Sequence, residues 1–255
     1  MTTTLTESAG LTARARTLLW SQATLTQLQT DGTGEQLDFL NHAMGTELAN
    51  REAARKTRLI RRAGFPTPKT FAGYDFTGVK LPAALSREDL TSADFIADHA
   101  NLVCYGPVGT GKTHLAIAVG QAAVNAGMAV KFTTVSELVL RLGQAKAAGT
   151  LDKTIREYAK QDCLILDEYG YVPIDRDAAR LLFQIVSDAY ETRSLIITTN
   201  VPFSNWGGVL TDDQLAAAMI DRIAHHGHLI YFEGDSWRMR HALMKQQPDP
   251  ERKLK

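Results

Sequence analysis

The stretch Gly106-Pro107-Val108-Gly109-Thr110-Gly111-Lys112-Thr113 decides the fold of this chain. It fits the pattern G-x-x-x-x-G-K-[ST]. The apolar run 101–105 before it predicts a buried strand, and the alanine-rich run that starts at His114 predicts a helix. A strand, a glycine-rich loop and a helix in this order form a phosphate-binding loop. The alternative is a glycine-rich turn that matches the pattern by chance, and the strand and helix predicted on its two sides argue against it.

Each part of this loop has a physical role in holding a nucleoside triphosphate. The glycines let successive backbone N–H groups converge on the phosphate oxygens, and the helix N-terminus adds its partial positive charge. Lys112 is expected to reach the β- and γ-phosphates, and the Thr113 hydroxyl to bind Mg²⁺. The sequence therefore predicts that the chain binds a nucleoside triphosphate together with Mg²⁺.

Strand-like and helix-like runs alternate regularly from residue 101 onward. The strand-like runs are 101–106, 129–134, 163–167, 194–199 and 228–233. The helix-like runs are 112–126, 136–149, 152–160, 176–190 and 212–226. Alternation at this pitch predicts an α/β fold in which helices cover both faces of a parallel sheet.

Two of the predicted strands end in polar residues that are suited to phosphate chemistry. The run 163–166 is apolar and is followed by Asp167 and Glu168, and the run 194–199 is followed by Asn200. Ligands bind at the carboxyl edge of such sheets. We expect Asp167 to hold Mg²⁺, Glu168 to polarise an attacking water, and Asn200 to orient that water. The plainer alternatives are that both acids cap a turn and that Asn200 only starts one.

Phosphoryl transfer also needs a cation at the developing charge, which a neighbouring subunit often supplies. The candidates are Arg222 at the end of a predicted helix, Arg193 before the strand 194–199, and Arg238 near the C-terminus. An ordinary surface arginine, such as Arg222 paired with Asp221, is the alternative for each. His225, His226 and His228 have no cysteine or carboxylate at metal-ligand spacing, so we predict polar packing rather than a zinc site there.

The region before the sheet is predicted to be helical and locally basic. Leu37, Leu40, Met44 and Leu48 recur at helical spacing. The segment 51–62 that follows holds six cations and one acid. The predicted DNA contacts are Arg51, Arg55, Lys56, Arg58, Arg61 and Arg62; a partner protein or plain solvent is the alternative. We predict an N-terminal helical DNA- or partner-binding region at 1–64, a nucleotide domain at 65–245 and a flexible tail at 246–255.

Composition limits the class of protein. Among 255 residues, 28 cations balance 28 acids, so affinity for nucleic acid must come from a local patch. Cys104 and Cys163 both fall in apolar runs, which favours core thiols over a disulfide or a metal site. There is no apolar run of transmembrane length and no signal-peptide pattern. We therefore expect a cytoplasmic protein with no membrane partner.

Several stretches of the chain resemble one family. Gly106-Pro107-Val108-Gly109-Thr110-Gly111-Lys112-Thr113-His114-Leu115-Ala116 and Leu166-Asp167-Glu168-Tyr169-Gly170-Tyr171-Val172-Pro173 are similar to the IstB/DnaC group of AAA+ P-loop ATPases. Ile197-Thr198-Thr199-Asn200-Val201-Pro202-Phe203-Ser204-Asn205-Trp206-Gly207 resembles the IstB branch, the helper ATPases of insertion-sequence transposition. Met219-Ile220-Asp221-Arg222-Ile223-Ala224-His225-His226 and Gly234-Asp235-Ser236-Trp237-Arg238-Met239-Arg240 strengthen this likeness, which covers roughly residues 35–242.

The resemblance implies a five-stranded parallel core in which the acid strand is not adjacent to the P-loop strand. It implies ATP as the nucleotide, oligomers that form on duplex DNA, and a transposase partner that the ATPase recruits and regulates. It adds His114 to the nucleotide site and matches Asn200 to the γ-phosphate sensor. It also matches Arg222 to the trans-acting arginine and Arg238 to a second sensor.

Two other classes remain open at this point. A DnaC-type replicative helicase loader shares the same ATPase core, but it would need an N-terminal helicase-binding domain, which often carries zinc. A small-molecule P-loop kinase would need an acceptor pocket and an arginine-rich lid. The Asp167–Glu168 pair followed by Asn200 favours hydrolysis over transfer to a substrate hydroxyl.

Overall fold

The computed structural model describes residues 2–240, without the side chains of 2–9, 238 and 240. The predicted tail at 246–255 lies outside these residues. The chain divides between Arg58 and Leu59 into two compact units. None of the helices described is long and apolar enough to cross a lipid bilayer.

The first unit is helical. Its helices are α1 (Thr2–Thr17), α2 (Gln22–Asp31) and most of α3 (Gly34–Ala63), which continues into the second unit. Ser21 caps α2 by accepting a hydrogen bond from the Thr24 backbone. Ala15, Leu25 and Met44 form its small buried core.

The second unit is built on a six-stranded sheet with the order β1-β6-β2-β5-β4-β3. The strands are β1 (Val79–Lys80), β2 (Asn101–Tyr105), β3 (Val130–Thr134), β4 (Cys163–Tyr169), β5 (Ser194–Thr199) and β6 (Gly227–Phe232). The helices are α4 (Arg87–Ser92), α5 (Lys112–Asn125), α6 (Val135–Ala147), α7 (Leu151–Ala159), α8 (Arg176–Ala189), α9 (Trp206–Leu210), α10 (Asp213–His225) and α11 (Trp237–Arg240), with short 3₁₀ turns at Asp94–Ile96 and Phe203–Asn205.

The predicted α/β fold with a parallel sheet is confirmed, and the strand count needs one correction. Five strands are parallel, and β5 lies between the P-loop strand β2 and the acid strand β4. The sixth strand, β1, pairs antiparallel with the edge strand β6. Because β1 has only two residues, it leaves no periodic pattern in the sequence.

The strands of this sheet alternate their side chains between two apolar cores. Val103 packs into the core beneath α6, α8 and α10, while its neighbours Leu102 and Cys104 face the core that includes α5. Burial raises the pKa of the Cys104 thiol to about 12, so this group stays neutral. Cys104 and Cys163 are both free and buried, as the sequence predicts.

One buried amide joins three elements at the amino edge of the sheet. Asn101, the first residue of β2, donates from Nδ2 to the Ile223 carbonyl of α10 at 3.1 Å. Its Oδ1 accepts from the Leu195 backbone N–H of β5 at 2.8 Å. Asn101 is only 5% exposed, so water cannot replace either partner. This amide therefore fixes the last turn of α10 against the starts of β2 and β5.

We predict that Asn101→Ala destabilises the larger unit by about 1–3 kcal/mol, because a buried N–H and a buried carbonyl both lose their partner. Urea denaturation followed by circular dichroism measures this change. The matched control is Asn50→Ala, which truncates an exposed asparagine of α3 and should stay within about 0.5 kcal/mol of the unchanged protein. Equal effects of the two substitutions would contradict this role for Asn101.

Candidate active site

The phosphate-binding loop joins β2 to α5 and approaches its surroundings closely at two glycines. Gly106 has φ +153°, and a Cβ there would lie 2.2 Å from the Phe232 carbonyl oxygen of β6. Gly109 has φ +81°, and a Cβ there would lie 2.1 Å from Ser236 Oγ. A side chain at either position would collide with its neighbour. These two glycines are thus required by the packing of the loop as well as by its phosphate-facing backbone.

The loop is braced by its own residues and by the chain that follows β6. Thr110 Oγ1 donates to the Pro107 carbonyl at 2.8 Å. The Trp237 backbone N–H donates to the Gly109 carbonyl at 2.9 Å. These two hydrogen bonds hold the loop in its observed shape. The side chain of Arg238, the next residue, lies outside the part of the structure that is described.

Lys112 folds back over the loop. Its Nζ donates to the Gly106 carbonyl at 2.7 Å and to the Pro107 carbonyl at 2.6 Å, and the residue is buried. A buried ammonium group needs such acceptors. Phosphate oxygens carry more negative charge than peptide carbonyls, so a triphosphate in the loop would compete for the same donors.

The aromatic side chain of Tyr74 contacts the end of the phosphate-binding loop. The Tyr74 hydroxyl donates to the Gly111 carbonyl at 3.4 Å, and its ring lies 4.9 Å from the ring of His114. His114 Nε2 also lies 3.0 Å from the Thr70 carbonyl oxygen. Burial raises the pKa of Tyr74 well above its usual value, so its hydroxyl remains a donor. His114 is thus held beside the loop by residues that precede the sheet.

Asp167 is where three elements meet. Its Oδ1 accepts from Thr113 Oγ1 of α5 at 2.8 Å and from Thr198 Oγ1 of β5 at 2.5 Å. The carboxylate is only 4% exposed. A buried carboxylate beside a hydroxyl is a pair of hard oxygen donors of the kind that Mg²⁺ binds through one or two carboxylates plus substrate phosphates. The donor set at Thr113 and Asp167 therefore fits magnesium.

Glu168 is displaced from the regular strand. Its φ is +60°, in the left-handed region that non-glycine residues seldom adopt, and the pairing of β4 with β5 shifts register between Leu166 and Tyr169. As a result Asp167 and Tyr169 are buried while Glu168 between them is exposed. We expected the strand to end at Asp167 with both acids at its carboxyl edge; β4 instead runs on to Tyr169, and both acids lie within the bulge near that edge.

Thr198 holds this bulge, a role that the sequence alone did not predict. The Thr198 hydroxyl donates to Asp167 and accepts from the backbone N–H of Glu168 at 3.1 Å. Thr199 adds a second link by donating to the Tyr169 carbonyl at 2.8 Å. The available signal was two adjacent threonines that follow the apolar middle of strand β5, one facing each side of the sheet.

The remaining candidates divide between the two edges of the sheet. Asn200 directly follows β5, so it shares the carboxyl edge with Asp167 and Glu168, and it is exposed. Arg193 precedes β5 and therefore lies at the amino edge. Arg222 lies there too, since the carbonyl of its neighbour Ile223 is bound by Asn101 at the start of β2.

The side chain of Arg222 contacts residues of α10 and α8 rather than Asp221. Its Nη1 donates to the Ala218 carbonyl at 2.8 Å, and its guanidinium lies 5.0 Å from the centre of the Phe183 ring. The ion pairs found among residues 10–237 do not include one between Arg222 and Asp221. The alternative of an exposed Asp–Arg pair is therefore wrong.

The predicted DNA contacts lie on α3. Arg51, Arg55, Arg58, Arg61 and Arg62 are exposed, and Lys56 is half-buried. Arg51 has an acidic partner one turn earlier in Glu47, and Lys56 has one in Glu52. At spacings of four, three and four residues, Arg51, Arg55, Arg58 and Arg62 share one face of the helix.

The chain matches the family model of the IstB-like ATP binding protein over residues 12–245. It is 34% identical over 210 residues to a Geobacillus stearothermophilus protein named as an ATP-binding protein of insertion sequence IS5376, covering 82% of this chain and 84% of that protein. It is also 34% identical over 206 residues to a Pseudomonas aeruginosa protein named as an ATP-binding protein of insertion sequence IS21, covering 80% of this chain and 77% of that protein.

The fold is also similar to that of a solved structure, the crystal structure of DnaI. The TM-score is 0.53 at 19% identity, and the match covers 65% of this chain and 91% of DnaI. At this identity the likeness concerns the fold alone. The family match spans the phosphate-binding loop, the acid strand and the region around Arg222, so the chain belongs to the family of IstB-like ATP-binding proteins.

Proposed function

We propose that this ATPase is the helper of a DNA transposition reaction, in which it assembles on duplex DNA with ATP bound and recruits a transposase to the target site. The observation that carries the proposal is the hydrogen-bonded cluster of Thr113, Asp167, Thr198 and the Glu168 backbone, in a chain whose named relatives come from insertion sequences. The relatives' names concern ATP binding and insertion sequences; assembly and partner are inferred for this chain.

The phosphate-binding loop would bind the nucleotide, and two side-chain oxygens would bind its metal ion. The loop backbone N–H groups and Lys112 bind the β- and γ-phosphates, and Thr113 with Asp167 would hold Mg²⁺. When bound, the ion neutralises charge on the phosphate oxygens. Thr198 donates to the same Asp167 oxygen as Thr113 does, and the two hydrogen bonds together fix the carboxylate.

Glu168 is the proposed general base. It is exposed at the carboxyl edge of the sheet, where a water can reach both its carboxylate and the γ-phosphate. Thr198 is a positioning residue, because it holds the Glu168 backbone at the unusual φ that turns the side chain away from the core. Asn200 at the same edge orients the attacking water and contacts the γ-phosphate.

Arg222 is proposed to act on a neighbouring subunit. The phosphate-binding loop begins where β2 ends, whereas Arg222 lies near the start of β2. The five residues of that strand span about 16 Å. Arg222 therefore cannot reach the γ-phosphate of its own chain without a large rearrangement, and it is available to complete the site of a second copy.

The arginine face of α3 is the proposed DNA contact. Zero net charge excludes a general attraction to DNA, whereas four arginines on one helical face form a local attraction for phosphates. One guanidinium group can donate two parallel hydrogen bonds to a phosphate, and such contacts do not depend on the base sequence of the DNA. A replicative helicase loader is the other candidate; the fold is compatible with it, but both named relatives belong to insertion sequences.

The first prediction tests Thr198. Thr198→Val keeps the shape of the side chain and removes the hydroxyl, so kcat for ATP hydrolysis should fall about 10- to 100-fold while ATP affinity stays near that of the unchanged protein. Thr198→Ser restores the hydroxyl and should recover most of kcat. Glu168→Gln, the reference for loss of the base, should bind ATP without turnover. A Thr198→Val variant with unchanged kcat would remove Thr198 from this role.

The second prediction tests DNA binding. Replacing Arg55, Arg58 and Arg62 together by Ala should weaken binding to a fluorescent duplex in the presence of a non-hydrolysable ATP analogue. The slope of log K against log salt should become shallower by about 3 units, since three phosphate contacts are lost. The control replaces the same three arginines by Lys, which keeps the charge and should keep the slope. An unchanged slope in the Ala variant would place the DNA on another surface.

The third prediction tests assembly. Arg222→Ala should bind ATP normally and hydrolyse it about 10³-fold more slowly. Lys112→Ala should be inactive because its loop lacks the phosphate cation. Mixing the two variants should restore measurable turnover, since a mixed interface pairs an intact loop with an intact Arg222. If the variants co-assemble and the mixture stays inactive, Arg222 does not act in trans.

A further inference from the structure

Two consecutive histidines at the end of α10 meet a carboxylate that is distant in sequence. His225 is the last residue of α10 and His226 is its C-cap, while Glu191 lies in the turn that follows α8. The ligand atoms of Glu191, His225 and His226 all lie within 4.8 Å of one another. The sequence predicted polar packing rather than a zinc site here, because no cysteine or carboxylate lies at metal-ligand spacing from the histidines; the packing of α8 against α10 supplies a carboxylate.

From this geometry we propose that Glu191, His225 and His226 bind one divalent transition-metal ion, of which Zn²⁺ is the best fit. Imidazole nitrogens and a carboxylate oxygen form the ligand set that suits zinc, and three protein ligands leave a fourth position for water or another group. Mg²⁺ is a poor fit because it prefers oxygen ligands.

The spacing of the three groups is close to what a metal ion needs. Zinc bonds of about 2.0–2.1 Å in a tetrahedron place the ligand atoms about 3.4 Å apart. His226 Nε2 already lies 3.6 Å from Glu191 Oε1. The two imidazole rings meet edge to face with their centres 4.2 Å apart. All three side chains are exposed, so small rotations can close the remaining gap without moving the backbone.

Tyr190 gives the cluster a supporting contact of the kind that metal sites use. Its hydroxyl lies 3.1 Å from Nδ1 of His225. A hydrogen bond to one imidazole nitrogen fixes the plane of the ring and selects the tautomer, which strengthens binding by the other nitrogen. Without a metal, an exposed pair of histidines beside a glutamate gains only a weak, screened attraction.

The position of the cluster indicates what a bound ion would do. Glu191 lies just before β5, and His225 and His226 lie between α10 and β6, so one ion would join two turns at the amino edge of the sheet. Arg222 is in the same last turn of α10. A metal would therefore stiffen the helix end that carries this arginine. The cluster is at the edge opposite the phosphate-binding loop, so metal binding here needs neither ATP nor DNA.

The test uses the full chain without an affinity tag, freed of metal by a chelator, at neutral pH. Isothermal titration with Zn²⁺ should give one ion per chain, and the unfolding temperature should rise with zinc concentration. Co²⁺ used as a spectroscopic probe should show visible absorption from a site of low coordination number. His225→Ala, His226→Ala and Glu191→Gln should each weaken Zn²⁺ binding at least about tenfold, and Tyr190→Phe should weaken it less.

The matched control is His228→Ala, which removes a histidine two residues beyond the cluster and should leave zinc binding unchanged. The proposal is overturned if the unchanged protein binds no Zn²⁺, or if it binds zinc equally well after each of the three ligand substitutions. Because the readouts are binding and unfolding temperature, a failure here leaves the proposed ATPase function untouched, and a failure of that function leaves this result interpretable.

Discussion

The carboxylate of Asp167 is the point on which the rest of the site depends. It accepts hydrogen bonds from the hydroxyl groups of Thr113 at the start of α5 and of Thr198 near the end of β5. A buried carboxylate without such donors would be costly, because desolvation disfavours its charge. These bonds therefore hold the start of α5, the acid strand β4 and the strand β5 together, and they keep the Asp167 carboxylate beside the start of α5.

The order of the strands explains how one threonine contacts both Asp167 and Glu168. Since β5 lies between β2 and β4, the carboxyl end of β5 is adjacent to the carboxyl ends of both strands. Thr198 reaches Asp167 through its proton and the Glu168 backbone through its lone pair. The bulge in β4 then turns Glu168 toward solvent while Tyr169 returns to the core and packs on Trp206. Two adjacent acids thereby acquire different environments, which is what a metal ligand and a general base require.

The two edges of the sheet carry different groups of polar residues. The carboxyl edge gathers the loop, the acids and Asn200, whereas the amino edge carries Asn101, the last turn of α10, and the Glu191, His225 and His226 cluster. Arg222 belongs to the second group. Its contacts with Phe183 and the Ala218 carbonyl hold it away from its own loop, and this separation is the physical basis for assigning it to a neighbouring copy.

Local patterns in the sequence determined the loop, the five parallel strands and the acidic pair, because glycine spacing, apolar runs and chain alternation are properties of neighbouring residues. The two-residue strand β1, the bulge at Glu168, the role of Thr198 and the approach of Glu191 to two histidines were decided only by the tertiary structure. Each depends on a contact between residues about 30 or more positions apart, and a single sequence contains no signal for such contacts.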